Sequence, residues 1–597
     1  MSQNIPTGKQ QFFDINGKPL VGGKVFNYVV ATTIPKNTYQ DSAQTTPNAN
    51  PVILDARGQC SMYGSGSYRQ VLKDSADNLI WDQVIIDLAQ TVNDNLIQFQ
   101  ADLASQSDVS KGANLVGFLQ AGIGAVGQTL LTKARNVVTA EDFGCVGDGV
   151  TDDTANMQKA LNAMGLLRGG AVLCRKRYLI NSANLTLPEN VRMVGTWNPA
   201  GQNPFETTVQ VHDLSCTIIM NTTYSIVLSA GAELNNLSII RKGLTTGEAN
   251  TSLFAGTAIQ IIGASGQNGV TLQNLQILGF AQAGYFSTCA RLYINNVSGD
   301  NIAGFRIGLC YDVIRIKNVH FWPFITNGAG MVGAANNRSG TAFLFAQHID
   351  IAQFEGIFTY GYLRGFDIVG DLGTATFVNC HADNTGVNPG SIGFLIEGNA
   401  THTVFIGCSA YSCTTGFYCT PGVTDHIYYT TCRAIGNTGY GWNIQQGSVH
   451  LLGCEASGSP QGIYVYATGT LAYVTNCTII NNSSNGIIAG SGAYVIERNN
   501  FFDTASNGGW SVEVIPSQDP LPLPNRGDFF TVSGTTSFGN IPNGWAGRKI
   551  TLYFTGTLTV NNGSGVRMGS SFAATADDIL ELIHTGSYWV KVASSAN

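Results

Sequence analysis

Charge is scarce in this sequence. Asp, Glu, Lys and Arg make up only 12% of 597 residues, and the net charge of -7 comes with no basic block. Nucleic acid is therefore not expected as a partner, since phosphate binding needs clustered Lys and Arg to release counterions. An anionic polysaccharide held in a locally basic groove remains compatible with this balance. Nowhere do about 18 apolar residues run together, so no membrane insertion is expected. The opening MSQNIPTGKQQFFDING has no apolar core of signal-peptide length, so the expectation is synthesis in a cytoplasm and release by lysis. The 13 Cys are dispersed, with no CxxC pair and no zinc-like Cys/His spacing. They are read as reduced, mostly buried core residues, with neither metal nor cofactor.

Glycine is abundant, at 71 residues, and Asn, Thr and Ser are frequent, whereas the helix-surface residues Lys and Glu are sparse. That composition predicts an all-β chain, and its length predicts several domains or a repeat. Residues 1–95 read as a small β domain of alternating runs (KVFNYVVA, SYRQVLKD, LIWDQVIIDL) broken by turn clusters. Residues 96–138 lose that pattern and read as a weakly helical neck. After DFGCVGDGVTDD, the spacing of Met157, Leu161 and Met164 predicts a helix from about Asp152. The four acids there are read as structural, because Asp and Thr at a helix start accept bonds from free backbone N–H groups.

Residues 139–515 are read as one domain, and within it a repeat emerges from Gly256 to about Asn500. Gly followed by an apolar residue recurs at Gly304, Gly365, Gly393, Gly416, Gly441, Gly462 and Gly486, with intervals of 28, 23, 25, 21 and 24 residues from Gly365 onward. The 61-residue gap before Gly365 is expected to hold one more coil, beginning at Gly340. A second marker is centred on Val319, Phe354, Cys380, Cys408, Cys432, Cys454 and Cys477, which should stack in one inward column. Alternation puts Ala382, Ala410, Ala434, Ala456 and Ile479 inside as well. Coils of this length with small-residue columns and no repeating helices predict a parallel β-helix. Prolines after Ile515 break the repeat, and 516–597 read as a separate C-terminal β domain.

The stretch DFGCVGDGVTDDTANMQKAL, followed by YLI and LPENVRMVG, resembles the opening of the pectate-lyase-like β-helix found in phage tailspikes. FFDINGKPLVGGKVFNYVVATTIPKNTYQD is similar to their particle-binding N-terminal domain, and VHFWPF and ATADDILELIHTGSYWVKV also resemble tailspike segments. This resemblance implies a right-handed, single-stranded parallel β-helix, a homotrimer, a place in the virion tail, and attachment to the phage particle or baseplate through the N-terminal domain. It also implies a bacterial lipopolysaccharide O-chain or capsule as ligand. A trimer has its own rationale, because 527–597 are too small to be very stable alone.

Glycoside hydrolysis generally needs two carboxyl groups flanking the scissile bond. The residue after each inward marker should point outward, giving the column His320, Glu355, His381, Ser409, Arg433, Glu455 and Thr478. Asp383 lies two residues beyond His381. Coil spacing of about 4.8 Å and two residues of about 3.3 Å each put Glu355 and Asp383 about 8 Å apart, which suits inversion. Asp367 and Asp350 are substitute acids. Substrate binding is expected from His320, Trp322, His381, Arg306, Tyr360, Tyr362 and Arg364, with Trp322 stacking on a sugar ring. Arg315 and Lys317 are read as exposed charge pairs. The activity expected is an endo-acting hydrolytic depolymerase; a lyase of the same fold, a non-catalytic adhesin and a free pectinase are the alternatives.

Overall fold

The computed structural model describes residues 3–200, 216–245, 251–262, 267–326, 337–384, 388–400, 402–423, 426–490, 492–503, 514–524 and 527–595. The chain divides into two compact units, Met1–Asn136 and Val137–Asn597.

In the first unit, a four-stranded antiparallel sheet and a two-stranded ladder enclose a core of Leu20, Val25, Leu54, Met62, Tyr68 and Leu72. A single long helix, α1 (Leu88–Leu103), follows.

The second unit opens with helix α2 (Thr154–Leu166), which begins two residues later than Asp152 and buries Met157, Leu161 and Met164. The acids before it are occupied by backbone. Asp153 accepts from Val146 N at 2.7 Å and Gly147 N at 3.0 Å, and Asp148 accepts from Val150 N and Thr151 N at 2.8 and 2.7 Å. Asp152 accepts from Thr154 N at 3.1 Å and so caps the helix entrance. These carboxylates stabilise a turn, as expected of acids placed before free N–H groups.

The rest of the unit is a parallel β-helix, built from a 26-stranded and a 12-stranded sheet and followed by a six-stranded sheet from Val514 onward with its own core. Two ladders run side by side in the larger sheet: Ile349–Glu355 pairs in register with Leu372–Val378, and Phe358–Tyr360 with His381–Asp383. The smaller sheet stacks Ala303–Ile307, Arg338–Phe345, Tyr362–Ile368, Ile392–Ile396 and Thr415–Cys419. The coil expected from Gly340 is therefore present.

The Gly-apolar marker has a packing cause. Phe343, Phe366, Phe394, Phe417 and Trp442 stack inside with centroid spacings of 5.3, 4.6, 4.8 and 4.9 Å. The preceding glycine is needed because a Cβ on Gly365, Gly393 or Gly416 would lie within 2.7 Å of the carbonyl oxygen of the next coil's glycine. Bends carry asparagines in the left-handed region, where a short polar side chain is tolerated. Asn236, Asn274 and Asn296 have φ of 59°, 53° and 54°, and their amides form a ladder of 3.0 and 2.7 Å hydrogen bonds.

All 13 cysteines are buried. The five marker thiols sit in column, and those of Cys408, Cys432 and Cys454 donate to the carbonyls of Phe377, Phe405 and Tyr429 in the coil before, at 3.4, 3.3 and 3.4 Å. Phe354 does not belong to that column. It stacks on Phe377 at 4.5 Å, while Ile357 precedes the Phe358 rung opposite His320 and His381. The marker slips by three residues in this coil, because the left-handed bend that later coils make at Asn379–Cys380 and Gly407–Cys408 is here Gly356–Ile357, with no Cys to mark it.

Candidate functional site

That slip reorders the outward residues. The true column runs His320, Phe358, His381, Ser409, Arg433, Glu455 and Thr478. Glu355 instead lies between Lys317 and Val378, with its Oε2 2.6 Å from Lys317 Nζ in an exposed ion pair. Its partner Val378 is five positions before Asp383, with the left-handed Asn379 among the four residues between, a path on the order of 15 Å. Glu355 and Asp383 therefore do not form the expected pair.

Several other expected residues gather on this face. The His320 ring packs against Phe324 and Phe358, both at 5.3 Å, and Trp322 lies at 6.5 Å. Crowding by these rings desolvates the His320 imidazole and lowers its pKa although the residue stays exposed, and burial followed by the Arg433 charge lowers that of His381. Asp383 stands between Tyr360 and Tyr411 on the next outward column. Tyr360 is only 3% exposed, and Tyr362 is 2% exposed with its hydroxyl donating inward to Asn301 O at 3.1 Å. Tyr362 is thus a core residue rather than a sugar contact. Its strand follows Phe358–Tyr360 after the single left-handed Gly361, whose corner turns the chain into the interior stack. Asp350 is exposed beside Gly373 of the following coil.

The opposite outer face, on the 12-stranded sheet, assembles a different set. The residue between the two inward members of each marker points out, giving the ladder Tyr285, Arg306, Leu344, Asp367, Leu395, Tyr418, Asn443 and Tyr464. Arg306 lies over the Tyr285 ring at 5.3 Å, and Tyr464 stacks on Tyr440 at 5.3 Å. Between these aromatic ends sits Asp367, whose Oδ2 is 3.5 Å from Arg364 Nε. Its Oδ1 is buried and accepts no hydrogen bond among the described residues.

Desolvation dominates the chemistry of Asp367. At 6% exposure, burial raises its pKa from 3.8 to about 6; the negative charge of Glu397 adds to the rise and Arg364 opposes it. Glu397 is exposed and lies two residues beyond Leu395, the rung opposite Asp367, so the two backbones are about 8 Å apart. Burial also raises the Tyr418 pKa, with Glu397 adding and Arg364 opposing, which places all four side chains in one electrostatic neighbourhood. A desolvated carboxylic acid beside an exposed carboxylate divides acid from base by environment. Glu397 and Tyr418 were absent from the expected set; reading the third residue of each Gly-apolar marker down the coils exposes the column that holds Tyr418.

Fold and site together define a parallel β-helix protein with two outer faces, one of which carries the desolvated Asp367 near the exposed Glu397. Comparison with protein-family models and with curated proteins gives no match. Among solved structures, the chain is similar to the tailspike protein of E. coli bacteriophage HK620 in complex with pentasaccharide, at 10% identity and a TM-score of 0.43, covering 84% of this chain and 97% of that one. It is also similar to the catalytic unit of the thermostable GH87 alpha-1,3-glucanase from Streptomyces thermodiastaticus strain HF3-3, at 11% identity and a TM-score of 0.40, covering 84% and 89%. A third is the A-module of the mannuronan C-5 epimerase AlgE4 from Azotobacter vinelandii, at 14% and 0.32, covering 61% and 95%. Likeness at this level carries no activity across, so function must be argued from the site.

Proposed function

We infer that this chain is a phage tailspike that binds and hydrolyses a bacterial surface polysaccharide, an O-chain or capsule, with Asp367 as general acid and Glu397 as its partner carboxylate. The observation that carries the reading is the raised pKa of Asp367, about 6, on an outward strand position next to an exposed acid. Protonated Asp367 gives its proton to the glycosidic oxygen. Glu397, about 8 Å away by backbone position, activates the attacking water as general base. Arg364 restrains the Asp367 carboxyl and offers a positive charge to an anionic sugar. The tyrosines of the ladder offer ring faces and edges to successive sugars.

The test is incubation of purified protein with polysaccharide from susceptible cells, following fragments by mass spectrometry and absorbance in the unsaturated-uronate band. Discrete repeat-unit fragments without absorbance are expected, and Asp367→Asn or Glu397→Gln should abolish them. Fragments that absorb would establish a lyase instead. Tight binding without fragments would establish an adhesin and remove the catalytic assignment.

A further inference from the structure

Where the β-helix ends, a cavity is left that the chemistry of Asp367 does not use. Tyr494–Arg498 is the last rung of its ladder among the described residues and pairs back to Leu471–Thr475. Between it and the start of strand Lys549–Phe554 in the six-stranded sheet lies a space of about 310 Å³, lined by Glu497, Arg498, Asp528, Trp545, Arg548 and Lys549. That is the lower end of small-molecule pockets, room for one ring rather than a chain. The rung stands six steps from Ile349–Glu355 in the coil of Asp367, about 29 Å along the axis at about 4.8 Å per step. Arg548 fixes the walls. It is 3% exposed, donates to the carbonyl oxygens of Asn543, Pro524 and Gly527 at 2.6, 2.8 and 3.2 Å, and lies 4.4 Å from the centre of the Trp545 ring. The cavity is thereby shaped before any ligand arrives. Gly547, at φ 85° with open space where a Cβ would stand, leaves the rim clear.

Arg498 and Lys549 are different. Both are exposed, and no ion pair or side-chain hydrogen bond engages either of them among the described residues. Two carboxyls share the lining, and crowding desolvates that of Asp528, raising its pKa against the pull of the Arg548 charge. Three chemistries therefore meet in one space. An indole offers a broad apolar face, carboxylates accept from hydroxyls, and unengaged cations draw an anion. A single ring that carries both hydroxyls and a carboxylate answers all three. We propose that this cavity binds one hexuronate residue of a polysaccharide, its ring against Trp545 and its carboxylate met by Arg498 and Lys549. The choice of a sugar rests on the proposed function; the cavity and its charges do not. Held at two places on one polymer, the chain would leave it more slowly than from the Asp367 face alone.

The experiment titrates the full chain with methyl β-D-glucuronide, read by saturation-transfer NMR, with methyl β-D-glucoside and inorganic phosphate for comparison. The glucuronide should bind at least about tenfold more tightly than the glucoside, the worth of a hydrogen bond to a charged group. Arg498→Gln and Lys549→Gln, at exposed positions where folding is little disturbed, should each weaken it by about tenfold, and Trp545→Ala should remove the signal. Lys591→Gln, on the same sheet but outside the cavity, and Asp367→Asn should leave it unchanged. No signal from the glucuronide, equal binding of the glucoside, displacement by equimolar phosphate, or a signal that survives all three cavity variants would overturn the site. Fragment release is measured separately. An empty cavity in a chain that releases fragments leaves Asp367 and Glu397 standing, and glucuronide bound by a chain that releases none leaves the cavity standing.

Discussion

Replacing Asp367 by Asn should separate activity from stability in a pH-dependent way. The folded carboxyl titrates near 6 against an ordinary value of 3.8, a shift of about 2 units, or at most about 3 kcal/mol at 1.36 kcal/mol per unit. Because the folded value is the higher one, the folded chain holds a proton that the unfolded chain has released between about pH 4 and 6. The stability this group contributes is therefore fully present below about pH 4 and is lost as pH rises through 6, leaving a buried charge above it. Asn cannot ionise, so the variant should match wild type at pH 4 and exceed it at pH 8 by about 1–3 kcal/mol in guanidinium unfolding. Fragment release should fall by about 10²–10⁴-fold, as for loss of a general acid, and wild-type activity should itself decline above about pH 6. A stability difference equal at both pH values would refute the desolvation argument. Retained activity would refute the role.

Glu355→Gln breaks only an exposed ion pair with Lys317 and should change stability by less than about 1 kcal/mol, with fragment release unchanged within about twofold; a large loss would return that residue to the site. Arg338 donates through both Nε and Nη2 to the single oxygen Oδ1 of Asp300, the two side chains being 1% and 0% exposed, so Arg338→Met should cost about 3–5 kcal/mol in unfolding experiments by stranding a buried carboxylate. Gly393→Ala would press a Cβ against the Gly416 carbonyl oxygen at 2.7 Å and should destabilise the coil by about 1–3 kcal/mol, measured as faster hydrogen exchange in the neighbouring strands.

Periodic features were legible in the sequence because stacking forces them to repeat. The glycine column, the buried cysteines and the coil hidden in the gap before Gly365 all follow from one rule: each coil must present compatible atoms to the next. What failed was the placing of the marker in one coil: the bend at Gly356–Ile357 matches Asn379–Cys380 and Gly407–Cys408, but Ile stands there in place of Cys, so Phe354 was aligned three residues early and the assignment of Glu355 fell with it. Tyr362 was misread because the corner at Gly361 turns the following strand inward, and alternation does not carry across a left-handed glycine. Asp367 and Arg364 are among the residues expected from the sequence, whereas Glu397 and Tyr418 beside them are not, because they lie off the cysteine marker. No periodicity indicates which outward acid is desolvated; that depends on the bulk of Leu344 and Leu395 on the neighbouring rungs.

The continuous ring stack from Phe343 to Trp442 also bears on how such a chain can change through descent. Each ring meets chiefly the rings of adjacent coils, so a coil can be duplicated, deleted or exchanged between ancestors at equivalent glycines without redesigning a shared centre. The uneven coil lengths, 21 to 28 residues from Gly365 onward and 38 between the paired Phe305 and Phe343, place that variation in the loops between strands. The number of coils and the outline of the outer faces are therefore separately heritable.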